Sequence, residues 1–547
     1  MFDKLPRRRL QNPFHALWIA WPSAFGDTFF HYLLDRLVCE RKILFTEWFS
    51  ISIKTPMENH IRTAGTPYAA SALLMALALA LGGCTSSPAA PTPGISPSPA
   101  YRHGENLSPA QPSADLRWWR EFGDEQLAHL VERAAVANHD VRIAVERARQ
   151  ARAGTVAAES RLFPSIDVTA SRSDSRTGLS KAVKQSIPDT QATRLGVEVG
   201  WEIDLFGGAR AAAGAAEKEA AATALGVSGA QLLTVSEVAR QYFIWHGARQ
   251  RLDILEALLQ TQRDTERLVR SRHREGMASE FDVARAASES LGIEASLPPL
   301  RTLLAVTETR IAVLTGADAS TPVPELHATG DFQWTYPKAV LAGQPADLLR
   351  RRPDLLAAEQ RLAAESSRLT EAKANRFPKL FLSALLGRQD LTLNGSFSPP
   401  ASRYSNVAAA FVLPVFNAGN IQAGIDAQSA RERESLLSYE KTILGAIEDV
   451  ENSLVALRSD QQQLDALAAS AHERQKAVER ATSLHREGAI DLLPLLDTQR
   501  ARLSTELARA ESNAQLAMGY VQLYKALGGG WQALPTPANA QTASNQN

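Results

Sequence analysis

Eleven histidines and two cysteines are the side chains with which this sequence could hold a metal or run a covalent step. The histidines are scattered without metal-ligand spacing. His273 and His485 recur inside an identical tetrapeptide, and repetition accounts for them without a metal. No glycine-rich phosphate loop and no nucleophile elbow is present. The reading is therefore no enzyme, no cofactor and no metal.

Cys84 has a different setting. Arg62 precedes a short apolar run, Ala69 to Leu81, too short to span a membrane but suited to an export signal peptide over residues 57–83. The run ends in Leu81-Gly82-Gly83-Cys84, which resembles the lipobox of bacterial lipoproteins. That resemblance implies a cysteine that becomes the lipidated first residue of the mature chain. Cys39 lies upstream of the cut, so no intrachain disulfide survives it. Residues 1–56 lack any helical or strand period and precede a complete signal peptide with its own Met57, so they are read as a misassigned N-terminal extension. Residues 84–113, rich in Pro and Ser, read as a tether, and 532–547 as a disordered tail.

The elements that must position any site come in two copies. His273-Arg274-Glu275-Gly276 returns as His485-Arg486-Glu487-Gly488, a shift of 212 residues (273 to 485). Val238, Trp245, Leu252 and Leu259 recur at that shift as Val450, Leu457, Leu464 and Ala471. A seven-residue apolar period is a coiled-coil seam, and its return in register marks a duplicated unit. The first repeat is placed at 114–330 and the second at 331–531. Each opens with an amphipathic helix, Asp124 to Ser160 and Pro345 to Arg376, ending at Phe163-Pro164 and Phe377-Pro378. Arg147 and Arg361 hold matching places in these two helices. Each closes with a hairpin of very long helices, Ala209 to Arg272 and Ile421 to His485, stopped by Gly276 and Gly488. The return helices start near Ser279 and Asp491, and Pro298-Pro299 predicts a break or kink in the first.

Between them lie strand pairs. Leu195, Val197, Val199, Trp201, Ile203 and Leu205 alternate with Gly196, Glu198, Gly200, Glu202 and Asp204, giving one apolar and one polar face. The repeat mate, Arg403 to Val415, puts Phe411 on its apolar face; the preceding strands are Ser165 to Arg176 and Lys379 to Leu391. Four strands cannot close a pore, whereas three copies supply twelve, an even number within the range of outer-membrane barrels. Leu195, Val197, Val199, Trp201 and Phe411 then face lipid. Lys and Arg balance Asp and Glu at 59 each, so nothing attracts nucleic acid.

In this order the pattern resembles the TolC/OprM-type outer-membrane factors, in their lipoprotein branch. Trp118-Trp119-Arg120-Glu121-Phe122-Gly123-Asp124, Leu348-Leu349-Arg350-Arg351-Arg352-Pro353-Asp354, the Phe-Pro steps and Leu413-Pro414-Val415-Phe416 carry the likeness. It implies a mainly α fold with a membrane β-barrel portion: duplicated helical hairpins forming an α-barrel tunnel, plus four strands per protomer completing a twelve-stranded barrel in a homotrimer. It also implies an outer-membrane location, a periplasmic adaptor and an inner-membrane pump as partners, and efflux as the function. An exit duct for protein secretion shares the fold, and a non-channel periplasmic spacer lipoprotein is the rival of another class.

The resemblance implies functional residues too. Arg274, Gly276, Arg486 and Gly488 match the hairpin tips that meet the adaptor. Asp497 matches an inward acidic position, which threefold symmetry turns into a cation-favouring ring at the periplasmic gate. Asp282 is its counterpart region and Asp491 adds charge, although both also suit a helix N-terminal turn. Pro494 stands where a second acid is common in the family, and Arg272 and Arg486 are candidate ion-pair partners across the gate.

Overall fold

A computed structural model describes residues 90–95, 97–104, 117–176, 178–180, 182–183, 186, 188–327, 332–337, 344–393 and 400–535. Cys84, the signal peptide, residues 1–56 and most of the tail lie outside them.

Among the described residues the chain is mainly helical with one four-stranded antiparallel sheet, and the two repeats share the same order of elements, with their long helices equal in length. In the first, α1 (Glu125–Ala137) and α2 (His139–Glu159) lead to β1 (Ser165–Ser175) and β2 (Thr190–Ile203), then to α3 (Gly208–Arg274) and α4 (Glu280–Leu314). In the second, α5 (Leu348–Arg351) and α6 (Pro353–Ala374) lead to β3 (Lys379–Leu393) and β4 (Ser402–Val412), then α7 (Asn420–Arg486) and α8 (Leu492–Ala526). Helices α3 and α7 each have 67 residues, and α4 and α8 each have 35. At 1.5 Å per residue the long helices run about 100 Å.

The single opening helix expected from Asp124 to Ser160 is two helices. Asn138 breaks it: its backbone is extended, and its side chain accepts from Asp140 and Val141 N–H at 2.8 and 3.3 Å to cap α2. Its amide also donates to the carbonyl of Leu314, the last residue of α4, at 2.9 Å. Thus α2 continues the line of α4 end to end. The helix expected from Pro345 to Arg376 is interrupted at the matching place, Arg352, whose guanidinium donates to the Ala526 carbonyl at the end of α8 (3.0 Å). A local stripe of apolar residues could not reveal this, because the break serves a contact more than 170 positions away in both repeats.

The expected break at Pro298-Pro299 is also absent, since α4 runs through both prolines. A helical proline costs about 3 kcal/mol. Leu297 and Leu300 beside the pair are buried with Ala248, Leu252, Leu255 and Leu259 of α3, and burial of one such side chain contributes about 1.5–3 kcal/mol. Packing on the long helix therefore holds the line.

Neighbour contacts order the upper staves as α2, α3, α6, α7, with α4 packed on α3 and α8 between α3 and α7 below. Four staves per chain result. Around their middle sits a belt containing α1, the turns Trp118–Phe122 and Pro324–Leu326, and the chain end at Trp531–Ala533. Trp118 stacks on Tyr524 at 5.5 Å. Tyr524 donates to Glu121 at 2.7 Å, and Tyr242 donates to Asp124 at 2.6 Å. Part of the stretch read as a tether lies against α7: Gly94 N–H donates to Glu440, and Arg102 and His103 N–H donate to Glu451.

The sheet order is β1-β2-β3-β4. Register places Ile166, Val168, Leu195, Val197, Val199, Trp201, Leu382, Leu386, Val407 and Phe411 on one face. Asp167, Glu198, Glu202 and Asn406 take the other. The apolar stretch from Leu195 to Ile203 is about nine residues long, within the roughly 9–11 that a tilted strand uses to cross a bilayer.

Candidate functional site

Each hairpin turns at its glycine. Gly276 and Gly488 have φ of 75° and 74°, the left-handed region open to glycine at little cost. In the first tip the N–H of Gly276 meets the His273 carbonyl at 2.9 Å and that of Met277 meets Arg272 at 2.7 Å. The second repeats this with Gly488 to His485 (3.1 Å) and Ala489 to Leu484 (2.8 Å). A Cβ at either glycine would meet nothing within 4 Å. Backbone conformation, rather than crowding inside the chain, is what demands glycine there. Arg274 and Arg486 sit beside these turns on the same exposed ends.

The recurring histidines pin the tips. Nδ1 of His273 lies 2.8 Å from the Ala278 carbonyl, and Nδ1 of His485 lies 3.0 Å from that of Ile490. A carbonyl only accepts, so Nδ1 carries the hydrogen in both rings. Duplication alone explains their recurrence in the sequence; the carbonyls they hold are set by the turn.

Behind the tips the acids divide. Asp282 belongs to a capping box with Ser279: its carboxylate accepts from the Ser279 N–H and hydroxyl at 3.0 and 2.6 Å. Those bonds, hydroxyl first, hold Asp282 below the ordinary carboxylate range. Its carboxylate is thus engaged in capping α4. Asp491 occupies the N-cap of α8, yet its side chain makes no capping bond. Of these three, Asp497 reaches the other repeat: Oδ1 is 3.5 Å from Arg285 on α4, and 3.7 Å from Arg500 on its own helix α8. Arg500 also pairs with Glu289 on α4.

The result is a two-step ionic clasp between α4 and α8. Arg272 and Arg486, expected as partners, make no ion pair among the described residues; Arg285 and Arg500 take that place. The repeat held a clue to one of them, for Arg285 is the mate of Asp497 at the same offset (285 to 497). Pairing of mates needs knowledge that α4 and α8 are close, and sequence order conceals that.

In the sheet, Leu195, Val197, Val199, Trp201 and Phe411 share one face. Trp201 donates its indole N–H to the Leu162 carbonyl at 3.1 Å, tying β2 to the end of the opening helix. Phe206, just past β2, stacks on Phe377, just before β3, at 4.9 Å.

Known proteins share this plan. The family model described as outer membrane efflux protein matches residues 130–317 and 345–529. The pyoverdine export outer membrane protein OpmQ of Pseudomonas putida is 32% identical over 465 residues, covering 84% of this chain and 97% of the relative. The toluene efflux pump outer membrane protein TtgC of the same species is 30% identical, with 86% and 97% covered. Among solved structures, the outer-membrane channel OprN superposes with a TM-score of 0.73 at 29% identity, covering 82% of this chain and all of the other. The CmeC outer membrane channel of Campylobacter jejuni matches in fold, with a TM-score of 0.73 at 22% identity, covering 84% and 98%.

Proposed function

This chain belongs to the outer membrane efflux protein family, and we propose that three copies of it close around one axis as a passive exit duct. A pump and a periplasmic adaptor load the duct from below, and it empties through the barrel. The cargo is a small organic solute that the pump selects, the class to which the names of its pyoverdine- and toluene-exporting relatives point.

The repeat supplies the observation that carries this reading. Contacts made between repeats inside one chain have mates at its two free sides that lack a partner there. Leu503 packs beside the Leu252, Leu255 and Leu259 cluster, whereas its mate Leu291 is 65% exposed. Phe206 stacks on Phe377, whereas Phe163 and Phe416, placed before β1 and after β4, are 68% and 89% exposed. Strands β1 and β4 are both outer edges, and open edges in an amphipathic sheet recruit another chain. A second copy answers each vacancy with the repeat mates of the residues that meet within the first. Two copies would give eight strands, a barrel whose own side chains fill it. Three give twelve and leave room for solute.

Lipidation at Cys84 fits the geometry of the segment after it. From Gly94, held by Glu440, ten residues reach at most about 35 Å. The membrane end of α7, twenty residues before Glu440, is about 30 Å away. An acyl chain on Cys84 can therefore enter the leaflet around the barrel base. At the other end, Gly276 and Gly488 with Arg274 and Arg486 are the proposed adaptor contacts, and Asp497 is the proposed gate acid.

Ring closure is tested with cysteines at Phe163 and Phe416 in a mature chain otherwise free of thiols except the lipidated one. Oxidation should yield covalent dimers and trimers only when both cysteines are present, and purified trimers should conduct in planar bilayers. A water-soluble monomer that neither cross-links nor conducts would refute the duct.

A further inference from the structure

The tunnel wall carries two arginines that export through a passive duct does not require. Arg147 on α2 and Arg361 on α6 occupy matching positions, and they line one open cavity of about 540 Å³. Asp140 and Asp354, two turns earlier on the same helices, border its lower end. Leu233 of α3 and Thr442 of α7 help to close its sides.

Two observations put this cavity on the lumen side. Its lining comes from α2, α3, α6 and α7 together, four consecutive staves that only the concave face of an arc presents at once. On α3, the lining positions Leu225, Gly229 and Leu233 fall nearly opposite Gln231, Val235, Val238 and Tyr242 at 100° per residue. The latter four face the belt: Gln231 donates to the Ala135 carbonyl, Tyr242 donates to Asp124, and both valines lie in the belt core. The belt covers that face of α3, so the cavity opens on the opposite face, the one that turns to the axis in the proposed trimer.

The two acids and two arginines of the lining are separated rather than paired with one another. Asp354 shares Arg352 with Asp449, at 2.8 and 3.0 Å. Asp140 stands two turns, roughly 10 Å, from Arg147, further than the ~8 Å Debye length of a hydrated, salt-filled lumen. Neither Arg147 nor Arg361 has an ion-pair partner among the described residues. Both are exposed, and Ile143 and Leu233 present apolar surface next to them.

We propose that Arg147 and Arg361 form a transit site for amphiphilic organic anions. A carboxylate or similar headgroup takes a guanidinium fork, and the apolar body of the solute rests on Ile143 and Leu233. Threefold assembly sets six such arginines at one level of the duct, which raises the local concentration of anions against the cation-favouring acids at the tip. The site deepens the exit-duct reading and rests on it.

The test uses purified trimers of the mature chain in planar bilayers under a gradient of potassium naphthalene-1-carboxylate. The reversal potential gives the permeability of naphthoate relative to potassium. The Arg147→Gln/Arg361→Gln double variant should lower that ratio about threefold or more, and Arg147→Lys/Arg361→Lys, which keeps the charge but not the fork, should fall between it and wild type. Equal ratios in all three proteins would overturn the transit site while leaving the duct intact. A wild-type trimer with no conductance would remove the duct, and the site with it.

Discussion

Arg285 and Asp497 are the same position in the two repeats, and they face each other across 3.5 Å. Duplication has placed opposite charges on mates that α4 and α8 bring together just behind the tips. Asp497 is 54% exposed at its side chain, and Arg500 joins it from the next turn of α8. Exposed pairs contribute only about 0.2–1 kcal/mol each. The clasp is therefore strong enough to bias a helix position and weak enough for a docking partner to undo.

Asp497→Ala should consequently leave thermal stability nearly unchanged, with a melting shift below about 2 °C, while raising the conductance of the resting trimer. Arg285→Ala should do the same through the other half of the pair. Unchanged conductance and unchanged cation preference in both variants would take Asp497 out of the gate.

At the tips, Gly276→Leu and Gly488→Leu force a side chain into the left-handed region at a local cost of about 1–2 kcal/mol, with no clash inside the chain. Trimers should persist on gels while cells lose export, read as intracellular dye accumulation. Asparagine tolerates the same backbone but adds bulk, so Gly488→Asn separates turn shape from close approach by a partner. Full export by all of these variants would exclude docking at the glycines.

His246 gives a pH signature remote from the tips. Its ring stacks on Phe332 at 3.7 Å, and burial pushes its pKa down to about 4. The unfolded chain takes up this proton near pH 6.5 while the native chain does not. Stability associated with the neutral ring is whole above pH 6.5 and is lost as pH falls toward 4, by at most about 3 kcal/mol. Melts of wild type and His246→Phe between pH 7 and 4.5 should diverge, with the variant losing less. Parallel curves would mean that the ring ionises freely in the folded belt.

The end-to-end splices make a prediction about stability. Asn138→Ala removes a helix cap and the bond to Leu314, costing about 1–2 kcal/mol. Arg352 is only 13% exposed at its side chain and serves Asp354, Asp449 and Ala526 at once. Arg352→Ala should therefore cost more than Asn138→Ala, and a melting experiment that ranks them the other way would discount the shared role.

Much of this was legible from the order of residues. The His-Arg-Glu-Gly tetrapeptides located both turns, because a helix stop needs glycine locally. The alternation through Leu195 to Ile203 located β2 and its apolar face, because a strand shows its two environments at period two. Trp118 to Asp124 carried a family likeness in the sequence, which says nothing of what the segment packs on. Its phenol partners, Tyr242 and Tyr524, come from two different long helices.

Sequence by itself determined the duplicated plan, the long helices, the strands and the glycines that end each hairpin, since these follow from propensity and period within a few turns of chain. Tertiary structure alone decided which acid pairs across the repeats, why Asn138 and Arg352 interrupt their helices, why α4 survives two prolines, and which face of α3 the belt covers. Each of those depends on side chains far apart in order meeting within a few ångströms. Local patterns carry no record of such meetings, because the same helix can lie against more than one neighbour without changing its own period.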